Sequence, residues 1–137
     1  MPHRFNPQEA LIASMVLMSA ADGPMTDAEQ ALMTRLVRDL PAFGDFSPHN
    51  IATATETVLE LLAMPDGLER GAGLVRDALP MRLRETAYLL ACEVAAADGE
   101  ASQGELRFLQ TLRIGLEIDR LIAGAIERAA KARYQVV

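Results

Sequence analysis

With 137 residues and a formal net charge of −6, the chain is long enough for one domain with a substantial core. Its acidity argues against nucleic acid as the main partner, since phosphate binding needs a basic surface, and a single cysteine excludes an intramolecular disulfide. Half of the residues are hydrophobic and few are aromatic, a balance that favours packed helices over sheets and predicts one domain over residues 1–137.

Caps and breaks divide the chain into six or seven expected helices. Asn6 can cap a first helix that begins at Pro7, and Gly23–Pro24 ends it. Further helices are expected to begin at or after Thr26, Ser47, Gly67, Pro80, Ser102 and Gly115. Residues 41–47 form a predicted loop. Because no segment alternates convincingly at period two, we expect an all-α, single-domain bundle.

The spacing of apolar residues predicts which helix faces meet the core. Met15, Met18 and Met33 lie on such apolar stripes and are expected to fill the core. The last expected helix carries the apolar residues Ile118, Leu121, Ile122, Ala125, Ile126 and Ala129. This helix is expected to fray at residues 131–133.

The tetrapeptide Ala-Ala-Asp-Gly occurs twice, at residues 20–23 and 96–99. At the same offset of 76 residues, each copy is followed by a Thr or Ser and, three residues later, by a Glu: Thr26 and Glu29, then Ser102 and Glu105. A Thr or Ser followed by Glu at this spacing is a capping box, which marks a helix start. The repeat therefore predicts a duplicated helix–loop–helix pair, with the middle of the chain as a connector.

These duplicated turns resemble those of the TerB-like domain, the tellurite-resistance protein B family. The second copy, within residues 94–106, is the more typical one, whereas Pro24 in the first copy stands where the family tends to have an acidic residue. The resemblance implies an all-helical bundle with no known reaction. It also implies a role in bacterial stress or tellurite response, and the binding of a divalent metal by acidic residues.

Two interpretations of the acidic residues stay open. A divalent cation such as Ca²⁺, Mg²⁺ or Mn²⁺ needs several oxygen ligands that converge on one point. The candidate ligands are Asp22, Glu29, Glu93, Asp98 and Glu105. In the second interpretation each turn is purely structural: the Gly ends a helix, the Asp accepts turn N–H groups, and the Glu completes a capping box. The order of residues is not that of an EF-hand, because Gly follows the first Asp directly.

The sequence has no arrangement of nucleophile and base typical of catalysis, so we expect a non-enzymatic protein. It would act with a protein partner in a stress-response assembly; the alternative is an interaction adaptor that binds no metal. The N-terminus does not have the pattern of a signal peptide, and no apolar run is long enough to span a membrane. A cytoplasmic location without membrane insertion is therefore expected. Cys92 is either a packed thiol or a ligand for a soft metalloid.

Overall fold

In a computed structural model, residues 5–21, 23–45, 49–97, 99 and 101–137 are described, with the side chains of residues 49 and 50 left out. These residues form seven α-helices and one 3-10 helix, and no strand is present among them. The α-helices are α1 (Pro7–Ala20), α2 (Asp27–Asp39), α3 (His49–Leu62), α4 (Gly67–Ala78), α5 (Met81–Ala97), α6 (Gln103–Gly115) and α7 (Arg120–Arg133). The prediction of an all-α bundle is confirmed.

Three of the helices begin with the same reciprocal hydrogen bonds. At the start of α1, Asn6 Oδ1 accepts from the N–H of Glu9, and the Asn6 N–H donates to Glu9 Oε1. Thr26 and Ser102 cap α2 and α6 in the same way. Each box satisfies two backbone groups that a helix terminus would otherwise leave without partners, which explains why these helices begin where the sequence indicates. The predicted start of α3 at residues 47–48 lies outside the described residues.

Helix α1 is the centre of the bundle. It is buried continuously from Ala10 to Ser19, and it contacts α2, α3, α4, α5 and α6. A helix that is apolar around its whole circumference requires partners on every side, and α1 has them. Although α1 is so apolar, none of the helices among the described residues is long and apolar enough to cross a bilayer.

The duplicated helix pairs pack against each other reciprocally. Helix α1 packs on α5, its counterpart in the repeat, and this is the most extensive contact between two helices. Helix α2 of the first pair also contacts α5, and α6 of the second pair contacts α1. Each pair therefore supplies one helix to the centre and places its second helix against the first helix of the other pair. The connector helices α3 and α4 cover the remaining side of α1.

The structure differs from the sequence predictions at two places. The loop predicted at residues 41–47 contains the 3-10 helix Pro41–Phe43, whose Phe43 is buried. Helix α7 does not fray at residue 131 but continues to Arg133, and it buries Ala123 and Ala130. Of the apolar residues expected in this segment, Ile118 is buried and Ile126 half-buried, whereas the other four are exposed, Leu121 to 84%. Among the described elements α7 contacts only α5 extensively, so its opposite face is left exposed.

Candidate functional site

The two Ala-Ala-Asp-Gly segments form similar turns at the ends of α1 and α5. Gly23 and Gly99 have positive φ angles of 125° and 95°, which glycine adopts without the steric cost that other residues meet. The N–H of Gly23 donates to the carbonyl of Ala20 (3.4 Å), and the N–H of Gly99 donates to the carbonyl of Ala96 (3.1 Å). The repeated sequence therefore gives a repeated backbone conformation, as expected for glycines that end helices.

Each turn leads into a capping box of nearly the same dimensions. Glu29 Oε1 accepts from the N–H of Thr26 (2.8 Å), and Glu105 Oε1 accepts from the N–H of Ser102 (2.9 Å). The hydroxyls of Thr26 and Ser102 accept from the N–H groups of Glu29 and Glu105, both at 3.1 Å. The second interpretation drawn from the sequence, that these glutamates cap helices, is thus an observed property of both turns.

Both capping glutamates are buried, with exposed fractions of 3% for Glu29 and 2% for Glu105. A second donor reaches the carboxylate of Glu29: the hydroxyl of Ser19, near the end of α1, donates to Glu29 Oε1 (3.1 Å). The repeat places Ala95 at the position equivalent to Ser19, so the second turn does not reproduce this bond. Among the described residues, the hydrogen bonds to Glu29 all fall on Oε1.

The start of α6 lies against the end of α1. A Cβ atom placed on Gly104, the second residue of α6, would overlap the carbonyl oxygen of Ala21 at the end of α1. The start of α6 is therefore packed against the backbone that leaves α1, and only a glycine fits there. Because Gly104 directly precedes Glu105 and Ala21 directly precedes Asp22, this close approach joins the second capping box to the first turn.

The candidate ligands Asp22 and Asp98 lie outside the described residues. Among the residues that are described, no three His, Cys, Asp or Glu side chains are grouped closely enough to hold a metal ion. A cation site at these turns would therefore require Asp22 and Asp98 in addition to the two glutamates. Carboxylate and backbone carbonyl oxygens, such as that of Ala21, are the ligands that hard divalent cations prefer.

Glu93, the fifth candidate, has a partner on α7. Its side chain is buried, and Oε1 lies 3.0 Å from Nε of Arg133, whose side chain is largely exposed. Its Oε2 atom is buried without a hydrogen bond from the described residues. Burial, and then the charge of Glu93, raise the pKa of Tyr134. Glu93 was predicted as a metal ligand. Within the described residues, its negative charge is instead paired with the guanidinium of Arg133.

A cleft of about 700 Å³ lies between α5, α6 and α7, beside Gly99. The buried hydroxyl of Tyr88 in its wall donates to Glu127 Oε2 on α7 (2.5 Å). Burial, and next this hydrogen bond, raise the pKa of Tyr88 far above its usual range. Burial and then the charge of Glu127 raise the pKa of the Cys92 thiol to about 12. A thiol in this state is almost entirely protonated at neutral pH and is a poor nucleophile and a poor metal ligand.

Several of these contacts have no signal in the sequence. Tyr88 and Glu127 are 39 residues apart, and Glu93 and Arg133 are brought together by the packing of α7 on α5. Nothing in the spacing of these residues indicates that they meet. The role of Ser19 could have been found, because it precedes the first Asp-Gly by three residues and would face the start of α2 across a tight turn.

Comparison with known proteins identifies a family. The model of the family described as tellurite resistance protein TerB matches residues 8–127, which is most of the chain. No curated protein and no solved structure matches the chain. The matched region contains both turns, both capping boxes and α1 to α6, and it ends within α7. The resemblance seen in the duplicated Asp-Gly turns is therefore confirmed, and the chain belongs to the TerB family.

Proposed function

We propose that the chain is a non-enzymatic TerB domain that binds a divalent cation between its two adjoining turns and acts in a bacterial stress-response assembly, with tellurite resistance as the first candidate. The observation that carries this proposal is the close approach of Gly104 to the Ala21 carbonyl, because it joins the two halves of the repeat at their acidic ends. Two acidic turns at one place repel each other, and a cation between them would relieve that repulsion.

The proposed ligands have distinct roles. In this proposal Asp22 and Asp98 each supply a carboxylate, and Glu29 contributes Oε2 while its Oε1 atom stays bound to Thr26 and Ser19. Glu105 completes the set from the start of α6. Mixed carboxylate and carbonyl ligands favour Ca²⁺, Mg²⁺ or Mn²⁺ over softer metals. Glu93 is assigned a structural role with Arg133.

The test is titration of the protein with Ca²⁺, Mg²⁺, Mn²⁺ and Zn²⁺ while amide chemical shifts are recorded. Binding is expected to shift Gly23, Gly99 and Gly104 together below millimolar metal. It is also expected to raise the free energy of unfolding by about 2.7 kcal/mol when the metal is at 100 times its dissociation constant. The double variant Asp22→Asn and Asp98→Asn should lose both effects. If none of the four ions shifts these glycines below millimolar concentration, the cation proposal fails.

A matched control is available in the third Asp-Gly of the chain. Asp66 lies at the start of α4 with a φ of 57°, and no capping box follows it. Because asparagine also tolerates this backbone region, Asp66→Asn removes one carboxylate with little strain. It should leave metal binding unchanged. A loss of binding in this control equal to that of the double variant would show that net charge, rather than the two turns, attracts the ion.

The second candidate is an adaptor that contacts a protein partner and binds no metal. Its support is that both capping glutamates already have a structural task, which explains their burial without an ion. The variant Asp98→Ala separates the two candidates. Loss of metal binding with an unchanged melting temperature of the metal-free protein supports the cation site. A lower melting temperature with no metal binding in either protein supports the adaptor.

A further inference from the structure

The outer face of α7 is an apolar stripe that no described residue covers. Leu121 is 84% exposed and Ile122 is 41% exposed, and Ala125 and Ala129 are also exposed. At about 100° per residue these four positions fall on one side of the helix, well separated from the buried side that meets α5. A solvent-exposed leucine alone would be ordinary, but a continuous stripe along a helix indicates a contact surface.

The stripe is complementary to itself when a second α7 runs in the opposite direction. Its large side chains, Leu121 and Ile122, lie near the start of the helix, whereas Ala125 and Ala129 leave a shallow surface toward its end. Gly124, beside Ala125, also has open space in front of it. In an antiparallel pair centred on Ala125, Leu121 of each copy lies level with Ala129 of the other and packs on it, while Ile122 lies level with Arg128. A parallel pair would instead oppose large to large and leave a gap between the alanines.

The charges at the two ends of α7 also favour the antiparallel pair. Before α7 the exposed carboxylates are Glu117 and Asp119. The second half of α7 is positive overall: its exposed cations are Arg128, Lys131 and Arg133, of which Arg133 pairs with Glu93, and its one exposed carboxylate, Glu127, accepts from Tyr88. Arg120 reduces the negative charge at the first end without reversing it. An antiparallel pair centred on Ala125 places Asp119 of one copy level with Lys131 of the other, at both ends of the contact. Opposite charges across an interface fix its register and exclude the parallel pairing.

We propose that two copies of this chain associate through α7 about a two-fold axis at Ala125. Such an isologous contact uses the same surface on both partners. A helix of 14 residues is about 21 Å long, so the contact covers roughly half of the 800 Å² per partner that is usual in stable complexes. Because this contact is smaller than that of a usual stable complex, the dimer is expected to be weak.

Sedimentation equilibrium of the full chain tests the association. The wild-type protein is expected to form dimers reversibly, and Leu121→Glu should raise the dissociation constant at least about tenfold by placing two carboxylates on the apolar contact. Leu59→Glu, at an exposed leucine of α3, is the matched control and should dimerise like the wild type. A wild-type protein that stays monomeric up to about 1 mM would overturn the proposal. Equal weakening by both glutamate variants would also overturn it.

Single cysteines on the stripe test the orientation. In the antiparallel pair Ala125→Cys meets its own copy and should form a covalent dimer under mild oxidation. Ala132→Cys should not, because two residues at position 132 would lie about 20 Å apart along the helix axes. Cys92 is buried and does not compete. Cross-linking of both variants with equal speed would indicate parallel or random contact and would contradict the two-fold arrangement.

Discussion

The hydroxyl of Ser19 distinguishes the two copies of the turn, and its removal has a predictable cost. Ser19→Ala deletes a donor to the buried carboxylate of Glu29, and the methyl group that remains cannot replace it. A hydrogen bond to a charged, buried group contributes about 1.5–3 kcal/mol. We expect Ser19→Ala to lower the free energy of unfolding by about 1.5 kcal/mol, measured by urea denaturation at neutral pH.

The control for this experiment lies five residues earlier on the same helix. Ser14 is also buried, but its hydroxyl donates to the carbonyls of Leu11 (2.7 Å) and Ala87 (3.3 Å), which are uncharged groups. Ser14→Ala should therefore cost about 1 kcal/mol or less. Equal losses in the two variants would show that Ser19 acts only as a packed side chain and that Glu29 does not depend on its hydroxyl.

The buried thiol of Cys92 makes stability depend on pH in the alkaline range. The unfolded chain releases the thiol proton near pH 9.0, whereas burial raises the pKa of Cys92 in the folded protein to about 12. Between these values the folded state holds more protons than the unfolded state, so stability falls as pH rises. The fall is at most about 1.4 kcal/mol per pH unit for one group. Below pH 8 this group should have no effect.

Comparison with Cys92→Ala isolates this contribution, because the buried Tyr88 also titrates at high pH in both proteins. The difference in free energy of unfolding between the wild type and the variant should be constant below pH 8 and should shift in favour of the variant from pH 9 upward. Urea denaturation at one-unit intervals from pH 7 to 11 measures it. A pH-independent difference would show that the thiol is accessible to water in the folded state.

At the scale of the helices, the contact between the start of α6 and the end of α1 depends on one glycine. Gly104→Ala places a methyl group against the Ala21 carbonyl, so α6 must move away from the end of α1. Overpacking of this kind costs about 1–3 kcal/mol, more than the gain in helix propensity. We expect a loss of about 2 kcal/mol in urea denaturation, with amide shift changes at both Gly23 and Gly99.

Gly73→Ala is the corresponding control in α4. An added Cβ meets no atom within 4 Å there, so the substitution should stabilise the protein by about 0.5–1 kcal/mol through the unfolded state. If Gly104→Ala behaved like Gly73→Ala, the turns would not be in contact, and the main support for a shared cation site would be removed.

The helices were predictable from the sequence to the extent that local chemistry sets them. The capping boxes at Thr26 and Ser102 use residues three positions apart, so their geometry is contained in the sequence. The apolar residues of the last helix were predicted as such, but of these only Ile118 and Ile126 meet the core, since apolar periodicity does not show whether this chain covers a helix face. The packing of Gly104 on Ala21 and the pairing of Glu93 with Arg133 result from tertiary contacts between distant segments, and no local pattern indicates them.

Across the whole molecule, the two halves of the duplication contact each other reciprocally, but different helices surround them. Helices α1 and α5 are equivalent in the repeat and pack together, yet α1 is enclosed by five helices while α5 has α7 on its outer side. The connector helices α3 and α4 complete the environment of α1. Helix α7 covers the outer side of α5. The family model matches α7 only to residue 127. The second half therefore carries the more accessible surface, including the cleft and the exposed stripe.

The central position of α1 predicts that residues 1–137 unfold as one unit. Leu17 is fully buried on α1, and its side chain packs where a Cβ of Gly71 on α4 would lie. Leu17→Ala should cost about 2–5 kcal/mol. Because α1 contacts five other helices, the loss should destabilise both halves together.

Far-ultraviolet circular dichroism and the near-ultraviolet signal of tyrosine, which includes the buried Tyr88 of α5, should give coincident denaturation curves for wild type and variant. Leu59→Ala, at an exposed leucine, should cost less than about 1 kcal/mol. Curves that separate in the variant, with the tyrosine signal lost at a higher urea concentration, would mean that α5 to α7 fold independently of α1 and that the chain contains two domains.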